Sequence, residues 1–519
     1  MPFFGIMEAK MKLGKFTKLV CSVSAIAMLL VGCTNASENE NGDTSTEQST
    51  KIVVGIPQDI DSLDPHLSNA TGTQEVMYNV FTGLVSPTSS GELAPEIAES
   101  YTTNEDMTTY TFKLNQNIKF HDGSDLTATD VKYSLDRLCG KTSDQDKPLS
   151  SSFSNVIDSV VAEDDYTVVV NLKQTDAAFL SKMTIAIIPE NSGATQAQNP
   201  IGAGPYKFKS YTPGVSLVLE KNGNYYISNQ LYIDVAEFKI FSDMNTAVLS
   251  LSNGEINLMN ITEDIIPQIP TDRFTIVNYP MNTVQLLGLN NDFEPFKNKK
   301  VREAINYAID KDEIISMISP NAAKLGSNFS PVMSIYYQDG LDSMYETDID
   351  KAKSLLKEAG YENLKFTCKV ASEYKLNVEA TEIIQQQLLK AGIDMQIDII
   401  DWSTWLDDVY TNRNHEATVV GFTGKLDPDG ILKRYVSDYS KNFINYKNSE
   451  YDNLISLAAK EVDKDKRINY YKDAQKILAE DASSVYIMDP SNHVVVDNKL
   501  EGYTNYPINF IDLRTLRFK

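Results

Sequence analysis

Between Thr109 and Leu114 the chain reads TYTFKL, polar and apolar in alternation, the two-residue period of a strand with one buried face. His121-Asp122-Gly123 follows as turn chemistry, with the glycine free to take positive φ. Thr127 then stands three residues before Asp130, the spacing of a capping box. The helix this predicts carries Val131, Leu135 and Leu138 on one face. The same two periods recur along the chain. KIVVGI at 51–56 predicts a short buried strand, and 156–172 predicts two strands around the acidic turn Glu163-Asp164-Asp165. Helices are expected at 246–251, before Asn253-Gly254, at 352–360, ended by Gly360, and at 378–392. A further strand is expected at 485–488. The reading is mixed α/β throughout, with no internal repeat.

Length and charge bound what such a chain can be. At 519 residues it needs two or three domains rather than one core. A net charge of -24 argues against a nucleic-acid partner. The N-terminal pattern differs from the rest. Lys12, Lys15 and Lys18 precede an apolar run at 19–30, signal-peptide length and too short to span a bilayer. The run ends in Leu30-Val31-Gly32-Cys33, which resembles the lipobox of bacterial lipoproteins. That resemblance implies cleavage before Cys33 and a lipid on its thiol, with Met11 as an alternative start. Residues 34–50 are polar and aperiodic, a disordered linker by composition. Such a linker has an r.m.s. span of roughly 20–25 Å. Cys21 would leave with the signal, and Cys139 and Cys368 are expected to be free and buried, although an oxidising compartment permits pairing.

Catalytic patterns are absent from the sequence: no GxSxG elbow, no Walker loop, no HExxH. His66, His121, His415 and His493 show no metal-ligand spacing. Asp427-Pro428-Asp429-Gly430 lacks the third acid and closing glutamate of a calcium loop. Neither catalytic residues, a metal nor a cofactor are expected. A tethered extracellular hydrolase would need a Ser–His or carboxylate constellation that the spacing does not supply.

The wording of 93–138 is more specific than its periods. Leu93-Ala94-Pro95, Ala98-Glu99-Ser100-Tyr101, Tyr110 to Leu114, Ile118 to Gly123 and Leu126-Thr127-Ala128 resemble the signature of the family 5 extracellular solute-binding proteins, the peptide receptors of ABC importers. Leu63-Asp64-Pro65, Phe81-Thr82-Gly83-Leu84-Val85, Gly202-Ala203-Gly204-Pro205-Tyr206 and Lys300-Val301-Arg302-Glu303-Ala304-Ile305 extend the resemblance over about 51–519. The resemblance implies a two-lobed, periplasmic-binding-protein-like α/β fold of the large peptide-receptor class (type II) with an inserted domain. Lobe I is expected from 51–83, 200–283 and 490–519, the insert from 84–199, and lobe II from 284–489. It implies capture of a peptide by lobe closure, delivery to a permease and ATPase, a monomer, and tethering outside the membrane.

The ligand stretch that the resemblance points to is 401–438. The family carries an aromatic residue and an aspartate there, the latter pairing with a peptide's α-amino group. Phe422 falls on the aromatic; Lys425 or Gly424 falls on the acid, depending on alignment, and Asp427 could substitute only in a reshaped loop. Trp402, Thr73, Gln74, Asn290 and Asn291 complete the expected ligand contacts. Two ligand classes remain open: a peptide whose amine is met by another group, or an anionic non-peptide solute or metal chelate paired with Lys425.

Overall fold

The structure is a computed structural model, and it describes residues 50–519 except 69, 228–230 and 509. The signal peptide, Cys33 and nearly all of the linker lie outside the described residues. Among the described residues no helix is long and apolar enough to cross a membrane.

Three larger sheets organise these residues. The first has seven strands in the order Phe274–Pro280, Ser491–Asp497, Leu258–Ile261, Lys51–Ile56, Val235–Ile240, Ser216–Lys221 and Tyr206–Thr212. Lys51–Ile56 lies in the middle and is parallel to both neighbours. Burial on both faces explains its near-continuous apolar run, and Ile52 and Val54 are fully buried in a core with Leu217, Phe238 and Val494. The second sheet has six strands, in the order Ala323–Lys324, Val485–Asp489, Thr283–Leu289, Ala417–Thr423, Lys365–Ala371 and Asp394–Ile400. Its apolar face packs on the helices Lys299–Ala308 and Lys375–Lys390 through Leu287, Val370, Ile305 and Ile384.

The third sheet is antiparallel: Ala98–Thr103, Thr109–Leu114, Thr167–Leu172, Ile157–Asp164. Tyr110, Phe112 and Leu114 point inward as the alternation requires, and Phe112 pairs with Val168. The helix Ala128–Cys139 covers this sheet. Thr127 opens it, donating its backbone N–H (2.8 Å) and its hydroxyl (3.0 Å) to the Asp130 carboxylate. Gly140 closes it at φ 71°.

The two sequence motifs His121-Asp122-Gly123 and Gly202 to Tyr206 meet in space. His121 donates its backbone N–H to the Gly202 carbonyl at 2.9 Å. The Gly202 N–H reaches imidazole Nδ1 at 3.3 Å, and Nε2 lies 3.1 Å from the Gly204 carbonyl. Both glycines press on residue 80: a Cβ on Gly202 would lie 2.1 Å from the Val80 carbonyl oxygen. This joint locks the four-stranded unit to the seven-stranded one.

The chain passes between the seven- and six-stranded sheets at 281–282 and again at Pro490. The crossings are bonded to one another: Met281 N–H to the Pro490 carbonyl (2.9 Å) and Thr283 N–H to the Asp489 carboxylate (2.9 Å), which also accepts from the Ser330 hydroxyl. Asn282 sits between them at φ 57°, a left-handed conformation that asparagine tolerates better than most residues. Cys139 and Cys368 are free and buried, and burial pushes the Cys368 thiol up to about 12.

Candidate ligand cleft

A cavity of about 520 Å³ lies where the three sheets' loops converge. That is within the usual range of small-molecule sites. One wall is the helix Thr71–Met77 with its continuation to Phe81; its i, i+3 and i+7 spacing turns Thr71, Gln74 and Tyr78 to the cavity. The C-terminal segment adds Pro507 and Phe510, and the Tyr78 and Phe510 rings stack at 3.8 Å. Behind them Arg514 donates to the Tyr78 hydroxyl at 2.9 Å and pairs with Asp512 at 2.9 Å, which fixes the ring. The four-stranded unit contributes Phe153 and Lys182, the crossing contributes Met281, and the loop after Ala417–Thr423 contributes Gly424 and Lys425.

The expected ligand contacts divide. Lys425 and Gln74 line the cavity. Gln74 donates its amide to the Ser68 carbonyl at 3.2 Å. Lys425 has neither an ion pair nor a hydrogen bond among the described residues. Crowding at the cavity wall and repulsion from Arg434 and Lys441 lower its pKa. Gly424 carries no side chain for a steric reason: a Cβ there would lie 1.9 Å from Asn282 Oδ1.

The other expected residues are placed elsewhere. Thr73 is buried beneath the helix, its hydroxyl accepting from the Asp61 N–H at 3.0 Å. Phe422 is half-buried, with the Arg434 guanidinium 4.9 Å from its ring centroid and Phe443 at 5.2 Å. Trp402 stacks on Trp405 at 4.8 Å and meets Tyr374 edge-on at 5.0 Å. Asn290 donates to the His415 carbonyl at 2.7 Å, and Asn291 donates to the carbonyls of Leu289, Ile444 and Ser483. Both amides therefore tie backbone together, and neither lines this cavity. Asp427 is held by Arg467 through both carboxylate oxygens, at 2.9 and 2.8 Å, with only about a tenth of either side chain exposed. It anchors the loop and is not aimed into the cavity as the substitute acid.

Sequence reasoning missed Tyr78, Phe510, Met281 and Lys182. Tyr78 was within reach, being four residues on from Gln74 along a helix. The segment 507–510 has no period to reveal it.

A cavity of this size between separate sheet units, with apolar and polar side chains on its walls, has the form of a small-solute site. The chain belongs to family 5 of the bacterial extracellular solute-binding proteins, whose model matches residues 92–443. The oligopeptide-binding protein AppA of Bacillus subtilis is 26% identical, the alignment covering 96% of this chain and 97% of the relative. The glutathione-binding protein GsiB of Pectobacterium atrosepticum is 28% identical over 88% of this chain and 91% of its own. Among solved structures, the binding protein DppA from Helicobacter pylori in complex with peptide STSA superposes with a TM-score of 0.70 at 28% identity, covering 91% of this chain and 98% of that one. The fold is therefore the two-lobed α/β fold of these receptors, and these relatives are named as binding proteins.

Proposed function

We propose that this chain is the substrate-binding subunit of an ABC importer, anchored outside the membrane through Cys33, which captures peptides between two closing lobes and delivers them to a permease. In this reading the lobes are 51–83, 200–283 and 490–519 against 284–489, with 84–199 as the insert. The observation that carries the reading is the composition of the cavity wall, which takes Gln74 and Phe510 from one lobe and Lys425 from the other. A solute seated there touches both, so it binds the closed form more tightly and shifts the population towards it. The relatives named for oligopeptides and glutathione, and the neighbour solved with a peptide, support a peptide-sized solute.

Protein purified from its own cells should release a bound solute in native mass spectrometry. Adding that solute back should raise the melting temperature, as any ligand specific to the native state does, and reduce the radius of gyration in X-ray scattering. Turnover of the solute, or binding without compaction, would defeat the reading. Anchoring is tested separately: Cys33→Ser should abolish partitioning into the detergent phase, because two acyl chains supply the stable anchor. Unchanged partitioning would remove the lipid.

A further inference from the structure

The protein is strongly acidic, with 71 Asp and Glu against 47 Lys and Arg. Its cavity is the reverse. Among the described residues that line it there is no carboxylate, and the charged ones are Lys182 and Lys425. Lys182 is already neutralised by Asp176. Lys425 is unpaired among the described residues, and the charged groups that act on it, Arg434 and Lys441, are positive. Arg434 donates to the Tyr410 hydroxyl at 2.7 Å and lies over Phe422; it has no carboxylate partner among the described residues, and its buried Nε has no acceptor. Lys441 is exposed and also lacks an ion pair among the described residues. The lysine stem rests where residue 430 has no side chain: a Cβ on Gly430 would lie 2.9 Å from Lys425 Cγ. The glycine thus leaves room for the extended lysine beside the cavity.

We infer that the captured solute carries a carboxylate that pairs with Lys425, and that it needs no α-amino group. The inference rests on the receptor reading above and names the solute class for it. When the lobes close, the lysine loses water. A neutral solute would leave it desolvated and unpaired, and an ammonium group would add repulsion with no acid on the walls to offset it. A carboxylate supplies the missing partner through a charge-assisted hydrogen bond. Met77, Phe81, Phe153, Met281 and Phe510 give part of the wall apolar surface, interspersed with uncharged polar groups such as Thr71, Gln74 and Tyr78, which suits a body that is mainly apolar. The solute is thus an apolar carboxylate, either a peptide with a free C-terminus or a non-peptide acid.

The test is calorimetric titration of six probes. Four are the tripeptide of leucine, phenylalanine and alanine as the free, N-acetylated, C-amidated and doubly blocked forms. Two are 4-phenylbutyrate and its amide. Acetylation is expected to change Kd by no more than about twofold, and amidation to weaken binding about ten- to a hundredfold, the range of a hydrogen bond to a charged group. Lys425→Gln keeps the stem over Gly430 and should erase the difference between acid and amide. If no peptide form binds but 4-phenylbutyrate is preferred to its amide, the peptide reading fails and the carboxylate inference stands. Amides that bind as well as acids, or a strict need for the free amine, overturn the inference while leaving a peptide receptor. Failure of all six probes overturns both.

Discussion

His121 is a histidine with a fixed tautomer. The Gly202 N–H points at Nδ1, so the proton belongs on Nε2, facing the Gly204 carbonyl. Burial lowers its pKa to about 4, as it does for His66 beside Arg137 and Asp64 and for His415 beside Lys369 and Asp408. A group whose folded pKa is depressed contributes stability above its unfolded value and loses it as pH falls through the folded one. These three should therefore lower the melting temperature as pH drops from about 6.5 to 4, measured by scanning calorimetry. Asp489 works in the opposite sense. Burial raises it to about 7, so it is best accommodated protonated, and its contribution is lost as pH rises from about 4 through 7. Asp489→Asn should keep the acceptor for the Thr283 N–H and raise the melting temperature at pH 8 relative to pH 5, compared with the unsubstituted protein. Equal pH profiles for the two would contradict this assignment. Arg467 is a simpler case. Arg467→Ala leaves the Asp427 carboxylate buried without its partner and should cost about 3–5 kcal/mol in urea unfolding. Removing both side chains should restore part of that loss.

At the scale of elements, the segments easiest to read were those in which one period and one cap agree. Thr109–Leu114 alternates because its sheet has one face on the core, and Thr127 with Asp130 starts the next helix as the spacing required. The turn from Gly202 to Tyr206 is visible as a motif, but its partner, the Val80 carbonyl, is 122 residues before Gly202 and leaves no local trace. Gly202→Ala should destabilise the protein by about 1–3 kcal/mol, the usual cost of overpacking, because the contact is with backbone that cannot rotate away; a melting curve unchanged by the substitution would refute the joint. Asn290 and Asn291 lie away from the cavity beside Lys425, for a physical reason. An asparagine after a strand serves equally well to hydrogen-bond loop backbone or a ligand, and sequence does not say which. The wide π-helical stretch Trp405–Thr411, which carries Trp405 into the core, has no pattern of its own either. Lys425 is legible in the sequence only as a cation in place of an acid; that the described residues of the surrounding wall include no carboxylate needs the assembled cavity.

For the whole molecule, the cavity and the crossing between the two large sheets share a few residues. Asn282 donates its amide to the Pro507 carbonyl at 2.8 Å, and its own carbonyl accepts from the Gly424 N–H. Pro507 and Gly424 both line the cavity, held side by side through Asn282. Its left-handed backbone is compatible with glycine, so Asn282→Gly should be accommodated by the backbone while relieving the clash that Gly424→Ala creates. A double-mutant cycle on stability should then give a coupling on the order of 1–3 kcal/mol, and strict additivity would show the two positions to be independent. The consequence is one of inheritance. A loop transplanted from a relative with a side chain at position 424 would not seat on this framework unless the residue at 282 came with it. What the receptor selects and how its two halves are joined can therefore diverge only as a pair.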